Sequence, residues 1–188
     1  MAPAKTSDAE IVAATRRLIE KHGRDGFSLT DVADAVGIRA PSLYKRFANR
    51  SALIAAVEVE LWRSLGENLQ RALRDVVEPV AQLTVIAHEY RAFANAHPKL
   101  YALYGVAGER TEEGQRAREQ GAAIALRAFE TLVGKRDALV SLRVFVPFIH
   151  GFISMELADG FRMGPGSDAA FELGIATILA GLRKRKKT

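Results

Sequence analysis

The chain contains no cysteine, which excludes disulfides, a thiolate nucleophile and the cysteine ligand sets of zinc fingers. Its four histidines, His22, His88, His97 and His150, are scattered. His88-Glu89 opens like the helical zinc-protease motif H-E-x-x-H, but Ala92 stands where the second ligand would be. Gly164-Pro165-Gly166 lacks the following Gly-Lys-Ser/Thr of a phosphate-binding loop. No catalytic residue, metal site or cofactor is therefore expected, and an all-α enzyme is the remotest reading. No apolar run approaches the roughly 20 residues that cross a bilayer. The first residues, MAPAKTSDAE, lack the apolar core of a signal peptide. The expectation is a cytoplasmic protein without membrane contact.

What is present is a chain of 188 residues with 48% hydrophobic content, ample for a core. Its charge is unevenly spread: residues 1–50 carry 9 basic side chains against 6 acidic, residues 51–182 carry 13 against 16, and the last six residues carry 5 against none. One end is suited to a polyanion and the body is not.

The stretch SLTDVADAVGIRAPSLYKRF, from Ser28 to Phe47, reads as a helix-turn-helix. Ser28 caps a first helix and Asp31, three residues on, closes a capping box. Gly37 supplies a left-handed turn. Pro41 sits at the first position of a second helix expected over Ser42–Phe47. Val32, Val36, Ile38, Leu43 and Phe47 fall on one apolar face, opposite Arg39, Ser42, Tyr44, Lys45 and Arg46. A plain helical hairpin with a solvated charged face is the alternative.

Before this pair, Thr6-Ser7-Asp8 offer caps to a helix carrying Ile11, Val12, Thr15, Leu18 and Ile19 and stopped at His22-Gly23. Phe27 is placed to staple onto Val32. Beyond the pair, Asn49 caps a helix with the stripe Leu53, Val57, Leu61, Leu65 and Leu69. Pro79 begins another, with Leu83, Ile86, Ala87, Tyr90 and Phe93 on one face. A short helix covers Lys99–Tyr104. The next has Ile124, Leu126, Phe129, Leu132 and Val133. A long helix over Asp137–Phe161 has its core at Leu139, Leu142, Phe145, Phe148, Ile149, Phe152 and Met155. A last one runs from Asp168 to Leu182. Nine helices and no strand make an all-α fold. The expected domains are 1–48, 49–182 and a basic tail, 183–188, read as disordered.

S-L-T-D-V-A-D-A-V-G-I, the proline-containing turn, S-L-Y-K-R-F and A-N-R-S-A-L-I together resemble the DNA-binding domain of the TetR family of transcriptional regulators, over roughly residues 8 to 57. Arg50 departs from the lysine usual there, and Lys45-Arg46 from frequent histidines; both keep positive charge. H-P-K-L-Y-A-L-Y at 97–104 and H-G-F-I-S-M-E-L-A-D-G-F at 150–161 resemble the ligand-binding domain of the family's Trp-His-Gly subgroup. Phe148-Ile149 stand near where that subgroup has its tryptophan, so the motif is incomplete.

The resemblance implies a three-helix DNA-reading domain followed by a ligand-binding and dimerising domain, in a repressor released from a palindromic operator by a small molecule. The second helix of the pair would enter the major groove with Arg39, Ala40, Pro41, Ser42 and Tyr44 nearest the DNA. Ser42 and Arg39 could address base edges, while Thr30, Tyr44, Lys45 and Arg50 suit phosphates. The aromatics Trp62, Tyr90, Phe93, Tyr101, Tyr104 and Phe129 come from different helices and could line a pocket for an apolar or planar ligand, oriented by His88 or His150; equally, they are core. Small residues Gly151, Ser154 and Ala158, and Ala170, Gly174, Thr177 and Gly181, recur at helical spacing and suggest a homodimer interface made by the last two long helices. A dimer of this fold that binds DNA without any ligand is the alternative.

Overall fold

The computed structural model describes residues 6–103, 111–164 and 166–185. Among these residues it has nine helices and no strand: α1 (Asp8–His22), α2 (Leu29–Ala35), α3 (Ala40–Tyr44), α4 (Arg50–Ala72), α5 (Pro79–Ala96), α6 (Pro98–Tyr101), α7 (Glu112–Val133), α8 (Lys135–Leu157) and α9 (Asp168–Arg185). The all-α expectation holds. Tyr104 and Lys186–Thr188 lie outside the described residues.

Contacts divide the chain into two compact units, Met1–Ser64 with His97–Arg118 and Leu65–Ala96 with Glu119–Thr188. In the first unit, local chemistry sets the helix ends. Ser7 and Ser28 each cap a helix and each closes a capping box, with Glu10 and Asp31 respectively. The backbone N–H groups these carboxylates accept hold both below the usual carboxylate range. Ile11, Ala14 and Ile19 of α1, Val32 and Ala33 of α2, Leu43 of α3 and Leu53 and Val57 of α4 form the core, joined by Phe27. His97 Nδ1 meets Glu20 at 3.0 Å and the Lys99 ammonium donates to the Lys21 carbonyl at 2.7 Å, which ties α6 to the end of α1.

α4 and α7 are further linked by Glu58, 7% exposed, which accepts from Arg118 at 2.9 Å. Burial pushes the Glu58 carboxyl up and Arg118 pulls it back.

The second unit is built from α5, α8 and α9 with the distal parts of α4 and α7. Phe129, Phe145, Ile153, Phe171 and Ile175 are fully enclosed, and Phe129 meets Phe145 edge to face with ring centroids 5.5 Å apart. A polar clamp crosses it: Arg91 of α5 donates through Nε to Glu156 of α8 at 2.9 Å, again through Nη2, and also to Asp168 of α9 at 2.7 Å. Its guanidinium lies 4.8 Å above the Phe171 ring.

Several sequence-based expectations shift. α3 begins at Ala40, places Pro41 at its second position and stops at Tyr44, so Lys45–Phe47 are not helical. α8 ends at Leu157, not Phe161: Asp159 takes φ 54°, and the N–H groups of Asp159 and Gly160 close on the carbonyls of Glu156 (3.0 Å) and Met155 (2.7 Å). This is a Schellman stop with aspartate in the left-handed position, which aspartate tolerates better than most residues. Within α8, Leu139 (46% exposed) and Met155 (51%) face outward, while Ala138, Ser141 and Ile153 are buried in their place. α9 continues to Arg185, so the first three residues of the expected tail are helical. Finally, α8 is by length and composition apolar enough to cross a membrane. Arg143 interrupts the apolar run along it.

Candidate nucleic-acid interface

α2 and α3 form the reading unit. The N–H groups of Gly37 and Ile38 donate to the carbonyls of Asp34 (3.2 Å) and Ala33 (2.9 Å), the two bonds of a Schellman motif, with Gly37 at φ 68°. Gly37 therefore turns the chain within two residues of α2, and Arg39, extended at φ −79° and ψ 142°, launches α3. α3 is five residues long and pinned by one side chain, Leu43, which is fully buried against the core. Arg39, Pro41, Ser42 and Lys45 are exposed, Tyr44 is 54% exposed, Ala40 is half-buried, and Thr30 lies exposed in the first turn of α2. Of the proposed base-reading and phosphate-contacting residues, Thr30, Arg39, Pro41, Ser42, Tyr44 and Lys45 are thus open to solvent on and beside the α2–α3 pair.

Two arginines behave differently from that group. Arg46 turns back to α1, where it pairs with Asp8 and donates to the Thr6 carbonyl. It is a brace between the end of α3 and the start of α1. Arg50, the first residue of α4, is half-buried beside Asp25 and Phe27. Neither tie is visible in the sequence, since Asp8 and Asp25 are far from their partners along the chain and carry no motif.

The pocket candidates fall in both units. In the first unit Tyr101 is buried and Trp62 half-buried. In the second, Phe93 and Phe129 are core side chains, and Tyr90 and His150 are half-buried. His88 turns to α9, 3.1 Å from Glu172 and edge-on to Phe171. Burial lowers the His150 pKa, so its imidazole is neutral around pH 7.

Of the small residues suggested for a dimer interface, Gly151, Ser154, Ala158, Ala170, Thr177 and Gly181 are exposed. Gly174 is half-buried, and a Cβ built there would lie 2.1 Å from the Phe148 ring. Its missing side chain makes room for Phe148 inside the unit. The sequence reading also missed Val140 and Val144 of α8 and Leu173 of α9, which are 49%, 47% and 69% exposed and share the outward faces with those small residues. Their spacing, Val140, Val144, Pro147, Gly151, Met155 and Ala158, is a second apolar stripe on α8.

Residues 11–57 match the family described as "Bacterial regulatory proteins, tetR family", and residues 83–178 match "Tetracyclin repressor-like, C-terminal domain". An uncharacterised HTH-type transcriptional regulator of Mycobacterium tuberculosis is 28% identical, covering 97% of this chain and 84% of its own. A protein with unknown function from Rhodococcus sp. RHA1 has a solved structure that is 25% identical, covers 97% of this chain and 100% of its own, and superposes with a TM-score of 0.82. A TetR variant from Acinetobacter baumannii AYE, in complex with minocycline, is 22% identical over 98% of this chain and 100% of its own, with a TM-score of 0.74.

Proposed function

The chain belongs to the TetR family of DNA-binding transcriptional regulators, and from that premise we propose that it is a repressor released from a palindromic operator by a small apolar or planar ligand. One observation carries the reading: α3 presents Arg39, Pro41, Ser42 and Tyr44 to solvent while only Leu43 holds it to the core. Ser42 and Arg39 read base edges in the major groove, Ala40 and Pro41 offer apolar contact to a thymine methyl, and Thr30, Tyr44, Lys45 and Arg50 fix the register on phosphates. Such a protein works on duplex DNA in the cytoplasm. The family assignment makes it a regulator, not an enzyme.

The ligand reading has separate support. The residues H-G-F-I-S-M-E-L-A-D-G-F lie within the stretch that matches the repressor-like C-terminal domain, consistent with the Trp-His-Gly subgroup, and a structure of this fold holds minocycline. In the second unit half-buried Tyr90 and His150 would meet the ligand beside the core side chains Phe93 and Phe129, and a neutral His150 can both donate and accept a hydrogen bond. The outward apolar faces of α8 and α9 support a homodimer, whose symmetry a palindromic site would mirror.

Selection of bound duplexes from a random pool is the test. A palindromic winner whose half-sites lie about one or two helical turns apart is expected. Ser42→Ala should relax preference at one or two base positions, and Lys45→Ala should weaken all duplexes alike. Affinity no better than for scrambled DNA would end the reading.

A further inference from the structure

Arg50 opens α4 next to Asn49, whose side chain caps that helix through the Ala52 N–H at 2.8 Å. Its guanidinium does not project freely. Nη1 and Nη2 lie 3.3 and 3.4 Å from one carboxylate oxygen of Asp25, and the guanidinium carbon stands 4.6 Å above the Phe27 ring. Both partners come from the segment between α1 and α2. Asp25 is 86% exposed, whereas Phe27 is buried in the core. The fit has a flaw: Arg50 Nε is shut off from solvent with no acceptor among the described residues. A buried donor without an acceptor is a cost that offsets part of what the pair contributes. Arg39 and Lys45, by contrast, have no ion-pair partner among the described residues.

We propose that Asp25 is an intramolecular competitor for phosphate: it occupies Arg50 in the free protein, and duplex binding exchanges the carboxylate for a DNA phosphate. Asp25 thereby lowers affinity for every duplex without reading sequence. The inference rests on the DNA-binding reading of α3 and its flanks. Carboxylate and phosphate offer a guanidinium the same paired acceptors, so the exchange needs only a re-aimed side chain. Phe27, 4.6 Å from the guanidinium carbon, supports the cation through its ring face. Once released, Asp25 keeps an uncompensated charge beside the polyanion, so two costs oppose binding: the broken pair and the repulsion. A lysine here could neither fork onto Asp25 nor stack as well on Phe27, and would bear less of the first of these costs.

Anisotropy titrations across salt, with the selected operator and a scrambled duplex, separate the possibilities. Asp25→Asn should tighten binding to both duplexes by a similar factor, roughly 3- to 10-fold. Arg50→Ala should weaken both and lower the salt slope by about one. In the Arg50→Ala background the gain from Asp25→Asn should shrink to the repulsive part alone, and in the Arg50→Lys background it should lie between. An equal gain with and without Arg50 would make Asp25 a bulk charge and overturn the exchange. Unchanged affinity in Asp25→Asn and Arg50→Ala, with thermal melting showing both folded, would make the cluster a structural lock and overturn it too. Wild-type protein that prefers no duplex would instead fail the functional reading itself, together with everything built on it.

Discussion

Ser28 decides where the reading unit begins. Its hydroxyl accepts from the Asp31 N–H at 3.1 Å while the Asp31 carboxylate accepts from the Ser28 N–H at 2.7 Å, so two of the orphan donors at the start of α2 are met by one pair. α2 has only seven residues, too few to stand without such help. Ser28→Ala should cost about 1 kcal/mol, seen as a lower melting temperature, and should weaken operator binding because α2 positions the turn into α3. An unchanged melting temperature would show that tertiary packing alone holds α2. Features of this kind are legible in sequence because cause and effect lie within a few residues: Ser28 with Asp31, Gly37 after Val36, Asn49 before α4. Arg46 and Arg50 were not legible in the same way. A cation beside a recognition helix has the same local signature whether it faces DNA or folds back to Asp8 or Asp25, and only the tertiary fold separates the two.

Among elements, α8 shows why helix existence was easier to read than helix phase. An amphipathic helix announces its buried face by contrast, and the stripe Leu53, Val57, Leu61, Leu65 and Leu69 on α4 is legible from its unbroken four-residue spacing; all five are buried. α8 is apolar on both sides, so Leu139 and Met155 looked as suitable for the core as Ile153, and the packing chose otherwise. Gly174 shares a face with Ala170, Thr177 and Gly181 but sits at its inner edge, against Phe148. What fixes α8 and α9 against α5 is the Arg91 clamp. Hydrogen bonds from Arg91, then from Ser167 and Asn95, hold the Glu156 carboxyl down to about 2, against the opposing effect of burial. A carboxylate whose folded value is depressed stabilises fully above its unfolded value, near 4.5, and that contribution is lost as pH falls toward about 2. Acid unfolding between those limits should therefore be steeper in the wild type than in Glu156→Gln, which should itself be less stable by about 2 kcal/mol at pH 7. Parallel acid titrations for the two proteins would show that the clamp adds no proton-linked stability.

For the whole molecule, the outward faces of α8 and α9 gather most of the exposed large hydrophobic side chains among the described residues. Leu139, Val140, Val144 and Met155 on α8 and Leu173 on α9 are each 46% or more exposed, interleaved with Gly151, Ser154, Thr177 and Gly181, which leave room for close approach. Monomeric proteins rarely leave contiguous apolar patches of this kind to water, and two copies of a two-helix face make a four-helix interface. Gly174 cannot report on that interface, because any side chain there collides with Phe148 inside the unit. Leu173 can: it is 69% exposed, so a charge there disturbs no core. Leu173→Arg places two cations near each other across a two-fold axis and should shift the protein to monomers in sedimentation velocity, with an unchanged melting profile at low protein concentration. Operator affinity should fall by two orders of magnitude or so, since each 1.4 kcal/mol of lost coupling between half-sites is tenfold, while affinity for an isolated half-site stays as it was. A variant that remains dimeric would exclude this face, and one that becomes monomeric yet binds the full operator undiminished would show that the two reading units do not act together.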